Sequence, residues 1–106
     1  MSATIIRPLG NYPPARRVGD WIHVSGTSAR QADGQCAGVV RHAAGTVQVD
    51  VALQTRVVIE KIRAALAGEG AELAHCVSLT CYLTDMADFA AYNAAYGEFF
   101  GPDGPA

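Results

Sequence analysis

No stretch of this sequence approaches the roughly eighteen consecutive apolar residues that a membrane span requires. The opening MSATIIRPLGNYPP also lacks the basic segment followed by a long apolar run that marks a secretory leader. A soluble, cytoplasmic protein with no membrane partner is expected. Basic charge is scarce too: eight Lys and Arg stand against ten Asp and Glu, giving a net charge of −2, and the basic residues are scattered. Without a basic stripe to neutralise phosphates, a nucleic-acid partner is not expected. The three cysteines, Cys36, Cys76 and Cys81, form an odd set without a leader, so they are read as free thiols in a reducing compartment. His75, Cys76 and Cys81 do not have the paired spacing that closes a zinc tetrahedron, and no metal is expected.

What is present is globular. Half of the 106 residues are apolar, and eleven glycines and five prolines gather between periodic segments, which is the composition of a folded chain. The length allows one domain, residues 1–106, around one core.

ARRVGDWIHVS has the pattern of a hairpin, with Gly19-Asp20 supplying the positive φ of a two-residue turn. Trp21, His23 and Ser25 then share one face and Ile22, Val24 and Gly26 the other. Residues 31–49, punctuated by Gly34, Gly38 and Gly45, read as a long loop with at most one short edge strand. From Asp50 the period changes: Thr55, Val58, Ile59, Ile62, Ala65 and Leu66 form a helical stripe, while Gln54, Arg56, Glu60, Lys61 and Arg63 stay off it. Asp50 caps this helix and Gly68 or Gly70 stops it. VSLTCYLT alternates strictly, which predicts a strand with Val77, Leu79, Cys81 and Leu83 on its apolar face. A second helix follows, capped by Asp85, with Asp88 in its first turn and Phe89, Tyr92, Asn93, Tyr96 and Phe100 at helical spacing up to Gly101-Pro102. The order is strand, strand, helix, strand, helix. The second crossover has no strand to land on, so the α/β unit is expected to be incomplete at its C-terminus.

The stretch SGTSAR, closing the second strand, is the chemically richest. It has one glycine and is followed by a loop rather than a helix, so it fails as a phosphate cradle or dinucleotide fingerprint. Ser25 lacks the flanking glycines of a nucleophile elbow. A pocket for an acidic substrate remains, with backbone amides and hydroxyls at a strand end and Arg30 able to fork onto a carboxylate. Cys81 and His23 could form a nucleophile and base, but the periodicity places Cys81 on an apolar face, where an inert packed thiol is expected.

The segments LGNYPPARRVGDWIHVSGT and QTRVVIEKIRAALAGEGAELAHCVSLTCYLTDMADFAAYNAAYGEFFG, with the terminal GPA, resemble the Rid (YjgF) superfamily of imine and enamine deaminases. The similarity runs from about Leu9 onward, and LTDMADFAAYNAAYGEFF together with SGT is its most specific part. PLGNY, GDWIHVSGTSAR and YGEFFGPDGP are most similar to the 2-aminomuconate deaminase subgroup. The resemblance implies an α/β (α+β), chorismate-mutase-like fold, with a mixed sheet packed on two helices. It implies a homotrimer with clefts between subunits, no cofactor, and water attack on an imine carbon with release of ammonia. An arginine on the strand after the second helix would grip the substrate carboxylate and a glutamate would handle the water; both would fall beyond Ala106. Tyr12, Ser25, Gly26, Thr27, Asn93 and Tyr96 match family positions that face the substrate. Arg30 is the candidate for a second carboxylate, which suits a six-carbon diacid. Two other functions compete: a non-catalytic module that binds small carboxylates or protects other proteins, and a ribonuclease, against which the acidic balance argues.

Overall fold

The computed structural model describes residues 5–106. Its most regular element is helix α1, Val51–Gly68. The Asp50 carboxylate accepts the Leu53 amide at 3.0 Å, satisfying one of the donors that a helix start leaves free. Of the predicted stripe, Thr55, Ile59, Ala65 and Leu66 are buried and Val58 and Ile62 half-buried, and Ala64, outside it, is buried too. At the far end Gly70 takes φ +75°, its amide bonds to Ala67 O, and the Ala71 amide reaches Leu66 O. This is the Schellman arrangement, and it explains why the helix stops where a glycine allows a left-handed residue.

Strands β1, Ala15–Val18, and β2, Trp21–Val24, form the expected antiparallel hairpin, pairing Ala15 with Val24 and Val18 with Trp21. Only Gly19 of the turn pair has positive φ, at 59°; Asp20 does not share it. Ile22 and Val24 face the core, while Trp21, 63% exposed, and His23 face outward. The predicted loop over 31–49 holds two strands instead of at most one: β3, Val39–Arg41, and β4, Val47–Val49, pair as a second antiparallel hairpin. Each has three residues, too short for alternation to register, and Gly45 at φ +85° lies between them.

The predicted strand at 77–84 is the main departure. Those residues join neither two-stranded sheet. Leu79 and Leu83 turn inward, but Val77 is 62% exposed and Cys81 lies on the surface. Alternation sets which faces a segment can bury, whereas a ladder also needs a neighbouring backbone. The one found among the described residues is the chain end: the Ala106 amide donates to Val77 O at 3.0 Å and the Leu79 amide to Ala106 O at 2.9 Å. These two bonds set Ala106 beside Ser78 in the parallel pattern.

The second helix is shorter than its aromatic spacing implied. Asp85 accepts the Ala87 amide and opens a 3-10 turn, Met86–Asp88, from which α2 continues as Phe89–Tyr96. Phe100 lies past its end, held by its amide bond to Tyr96 O. Ring centroids still step along the series at 6.1 Å for Phe89–Tyr92, 5.7 Å for Tyr92–Tyr96 and 4.9 Å for Tyr96–Phe100. Ile59, Leu66, Leu73 and Phe100 form the buried core between α1, α2 and the inner face of β2. The radius of gyration, 14.7 Å, exceeds the roughly 13 Å of a compact domain of this length.

Candidate functional site

The end of β2 controls the site. Ser25 is fixed twice, its amide donating to Pro14 O at 3.0 Å and its hydroxyl to Pro13 O at 2.6 Å. The Thr27 hydroxyl donates to Ser25 O at 2.8 Å, curling the chain at Gly26. These bonds bring the Tyr12 loop and the SGTS turn onto one cleft of about 270 Å³, near the lower edge of the range usual for small-molecule sites. Ile5, Ile6, Leu9 and Ala65 supply its apolar wall.

Arg30 and Lys61 supply its charge. The Arg30 guanidinium donates to Arg7 O at 2.7 Å, which aims it along the N-terminal segment and leaves its other N–H groups available. The Lys61 ammonium, from the middle of α1, donates to Ser28 O at 2.9 Å and to Arg30 O at 2.7 Å. It thereby ties the turn after β2 to the helix. Burial lowers the Lys61 pKa below the usual 10.5, and the charge of Arg30 lowers it further. The ion pairs among the described residues are Arg17–Glu69, Arg56–Glu98 and Arg63–Glu60, so neither cleft cation has a carboxylate there. No Asp or Glu lines this cleft among the described residues.

Of the predicted site residues, Tyr12, Ser25, Gly26, Thr27 and Arg30 come together here. Asn93 and Tyr96 do not. Asn93 is exposed on α2, and Tyr96 is half-buried in the aromatic series, where burial raises its phenol pKa with help from the charges of Cys81 and Cys76. The α2 helix is positioned by Tyr96 and Phe100 against the core, and this leaves Asn93 outside the cleft. Lys61 was missed because helical periodicity assigns it to the solvated side; a lysine stem is long enough to carry the ammonium back to the loop carbonyls. Cys81, expected to be packed and inert, is an exposed free thiol because, among the described residues, no strand covers that side of 77–84.

Known proteins resemble this chain over nearly its whole length. The family model described as endoribonuclease L-PSP matches residues 2–106. A RutC family protein of Pyrococcus abyssi is 38% identical over 100 residues, 94% of this chain and 72% of the relative. The 3-aminoacrylate deaminase RutC of Acinetobacter baylyi is 32% identical over 99 residues, 93% of this chain and 71% of the relative. The crystal structure of the YjgF gene product of E. coli superposes with a TM-score of 0.71 at 29% identity, over 93% of this chain and 72% of that one. With the fold and nearly the whole length matched, the chain belongs to the endoribonuclease L-PSP family, within the Rid (YjgF) superfamily.

Proposed function

We propose that this protein is a hydrolytic deaminase of reactive enamines and imines, with 2-aminomuconate as its substrate. The observation that carries this reading is the cleft at the end of β2, where an apolar wall, the Tyr12 ring and the SGTS turn meet two cations unmatched by any acid among the described residues. A conjugated six-carbon diacid offers what such a cleft binds: a flat apolar middle and terminal carboxylates. The A. baylyi relative, named for deamination of 3-aminoacrylate, supports the reaction class.

The chemistry is a hydrolysis. The enamine takes a proton on carbon to become the imine, water adds to the imine carbon, and the carbinolamine expels ammonia to leave the ketone. Arg30 would hold a carboxylate through paired N–H donors and fix the imine carbon beside the turn. The amides of Gly26, Thr27 and Ser28, which make no backbone bond among the described residues, are donors for developing negative charge. Cofactor-free action in the cytoplasm, as a homotrimer with clefts between subunits, belongs to the same proposal. Exposed Val18, Trp21, Val40, Val47 and Val49 on the two hairpins are the surface that such an assembly would cover.

A second reading draws on the same cleft. Without a lining carboxylate among the described residues to handle water, the site also suits a module that binds small carboxylates without turnover. Ammonia release from enzymatically generated 2-aminomuconate, with 3-aminoacrylate in parallel, decides between the two. Faster release from 2-aminomuconate is the expected result. Binding of the diacid without ammonia release would overturn the deaminase reading in favour of the module.

A further inference from the structure

Lys61 occupies an unusual position. It rises from α1 between two depressions, the cleft at the end of β2 and a wider, shallower one whose wall includes Asp33 and Glu60. On the wider side those carboxylates stand beside Arg56, which is paired with Glu98, and Glu60 is itself paired with Arg63. On the cleft side the charge of Arg30 repels the lysine. Two of its three N–H donors are already committed to the Ser28 and Arg30 carbonyls. Its position is therefore fixed, and its charge stays uncompensated by any carboxylate among the described residues. Two like charges held together in a partly buried site disfavour each other until an anion arrives, and the relief then favours the ligand that brings most negative charge.

We infer that Lys61 is a specificity-determining residue that, with Arg30, makes this cleft select dicarboxylates over monocarboxylates of the same carbon skeleton. The inference rests on the cleft being the substrate site proposed above. Arg30 supplies the directional, forked contact, and Lys61 supplies a point charge whose position is set by its bonds to the Ser28 and Arg30 carbonyls.

The probes are muconate and sorbate, six-carbon dienes with two carboxylates and one, titrated by calorimetry into the wild-type chain and the Lys61→Met and Lys61→Arg variants. Inorganic phosphate serves as a competitor. Wild type is expected to prefer muconate about tenfold or more, Lys61→Met to lose most of that preference while binding sorbate nearly as before, and Lys61→Arg to restore it. Equal weakening of both ligands in Lys61→Met would reduce the lysine to a structural tie and overturn the inference. An unchanged preference in Lys61→Met, or a wild type that binds neither acid, would overturn it as well. Phosphate competing as well as muconate would show a general oxyanion site and do the same. The deaminase reading fails separately: a Lys61-dependent preference for muconate with no ammonia release from 2-aminomuconate leaves this inference standing and removes that one.

Discussion

Gly38 and Asp50 are locked together across the junction of the second hairpin and α1. The Asp50 amide donates to Gly38 O at 2.7 Å, and a Cβ placed on Gly38 would lie 2.6 Å from Asp50 O and 2.9 Å from the Gln54 side chain. Gly38 also has φ +72°, which L side chains rarely adopt. Gly38→Ala therefore meets both backbone strain and a backbone clash, and is expected to cost about 2 kcal/mol or more. Gly34, at φ +84° with open space around a Cβ, provides the control. Thermal melts in which Gly38→Ala is no worse than Gly34→Ala would show that the junction yields easily.

Arg30→Gln removes the forked cation and keeps much of the side-chain length. On the proposed function it raises the KM for 2-aminomuconate by about tenfold to a hundredfold, the range for losing hydrogen bonds to a charged group. Steady-state kinetics test this, and an unchanged KM would move the carboxylate elsewhere. The Arg30 bond to Arg7 O ties only the exposed N-terminal segment, so the melting temperature is expected to shift little.

The Arg56–Glu98 pair, at 2.8 Å, joins α1 to the turn after α2, yet both side chains are about half exposed. Solvent screening should hold its coupling below about 1 kcal/mol. A double-mutant cycle with Arg56→Ala and Glu98→Ala measures it. A larger value would indicate that the turn after α2 is held by this ion pair more than by Phe100.

Alkaline stability should depend on Cys76, Tyr92 and Tyr96. Burial raises all three pKa values; for Tyr92 a hydrogen bond with Cys81 and nearby charges add to it. The unfolded chain then loses these protons first, from its ordinary values of 9.0 for the thiol and 10.0 for the phenols. Their contribution to stability is whole below those values and is lost as pH rises above them. Lys61 acts oppositely: its lowered pKa means that stability rises between that value and 10.5. The three raised groups outnumber it, so a net decline at high pH is expected, and Tyr96→Phe should make the decline shallower. Denaturation midpoints measured from pH 8 to pH 11 would count against this if the two proteins fell in parallel.

The parts of the fold legible in the sequence were those fixed by neighbours along the chain. The α1 stripe, its Asp50 cap and the glycine at its end all act within a few residues, as does the β1–β2 hairpin. The alternation of 77–84 predicted its inward leucines, but a ladder depends on which backbone lies alongside, and local pattern is silent on that. The site divided the same way. The SGTS turn was found because a strand end exposes amides and hydroxyls, Arg30 because it closes that turn, and Tyr12 only through the family resemblance. Lys61 escaped because its role depends on a contact with Ser28 and Arg30, 33 and 31 residues earlier.

The exposed face of the first hairpin gives the molecule an optical property. Trp21 is the only tryptophan in the chain and sits at the start of β2, beside the turn, with most of its surface in water. Its emission should therefore be red and readily quenched by iodide while the hairpin face stays bare. Anything that settles on that face, a second copy of the chain included, would turn the same indole blue and shield it, so one native fluorophore monitors this surface without a label.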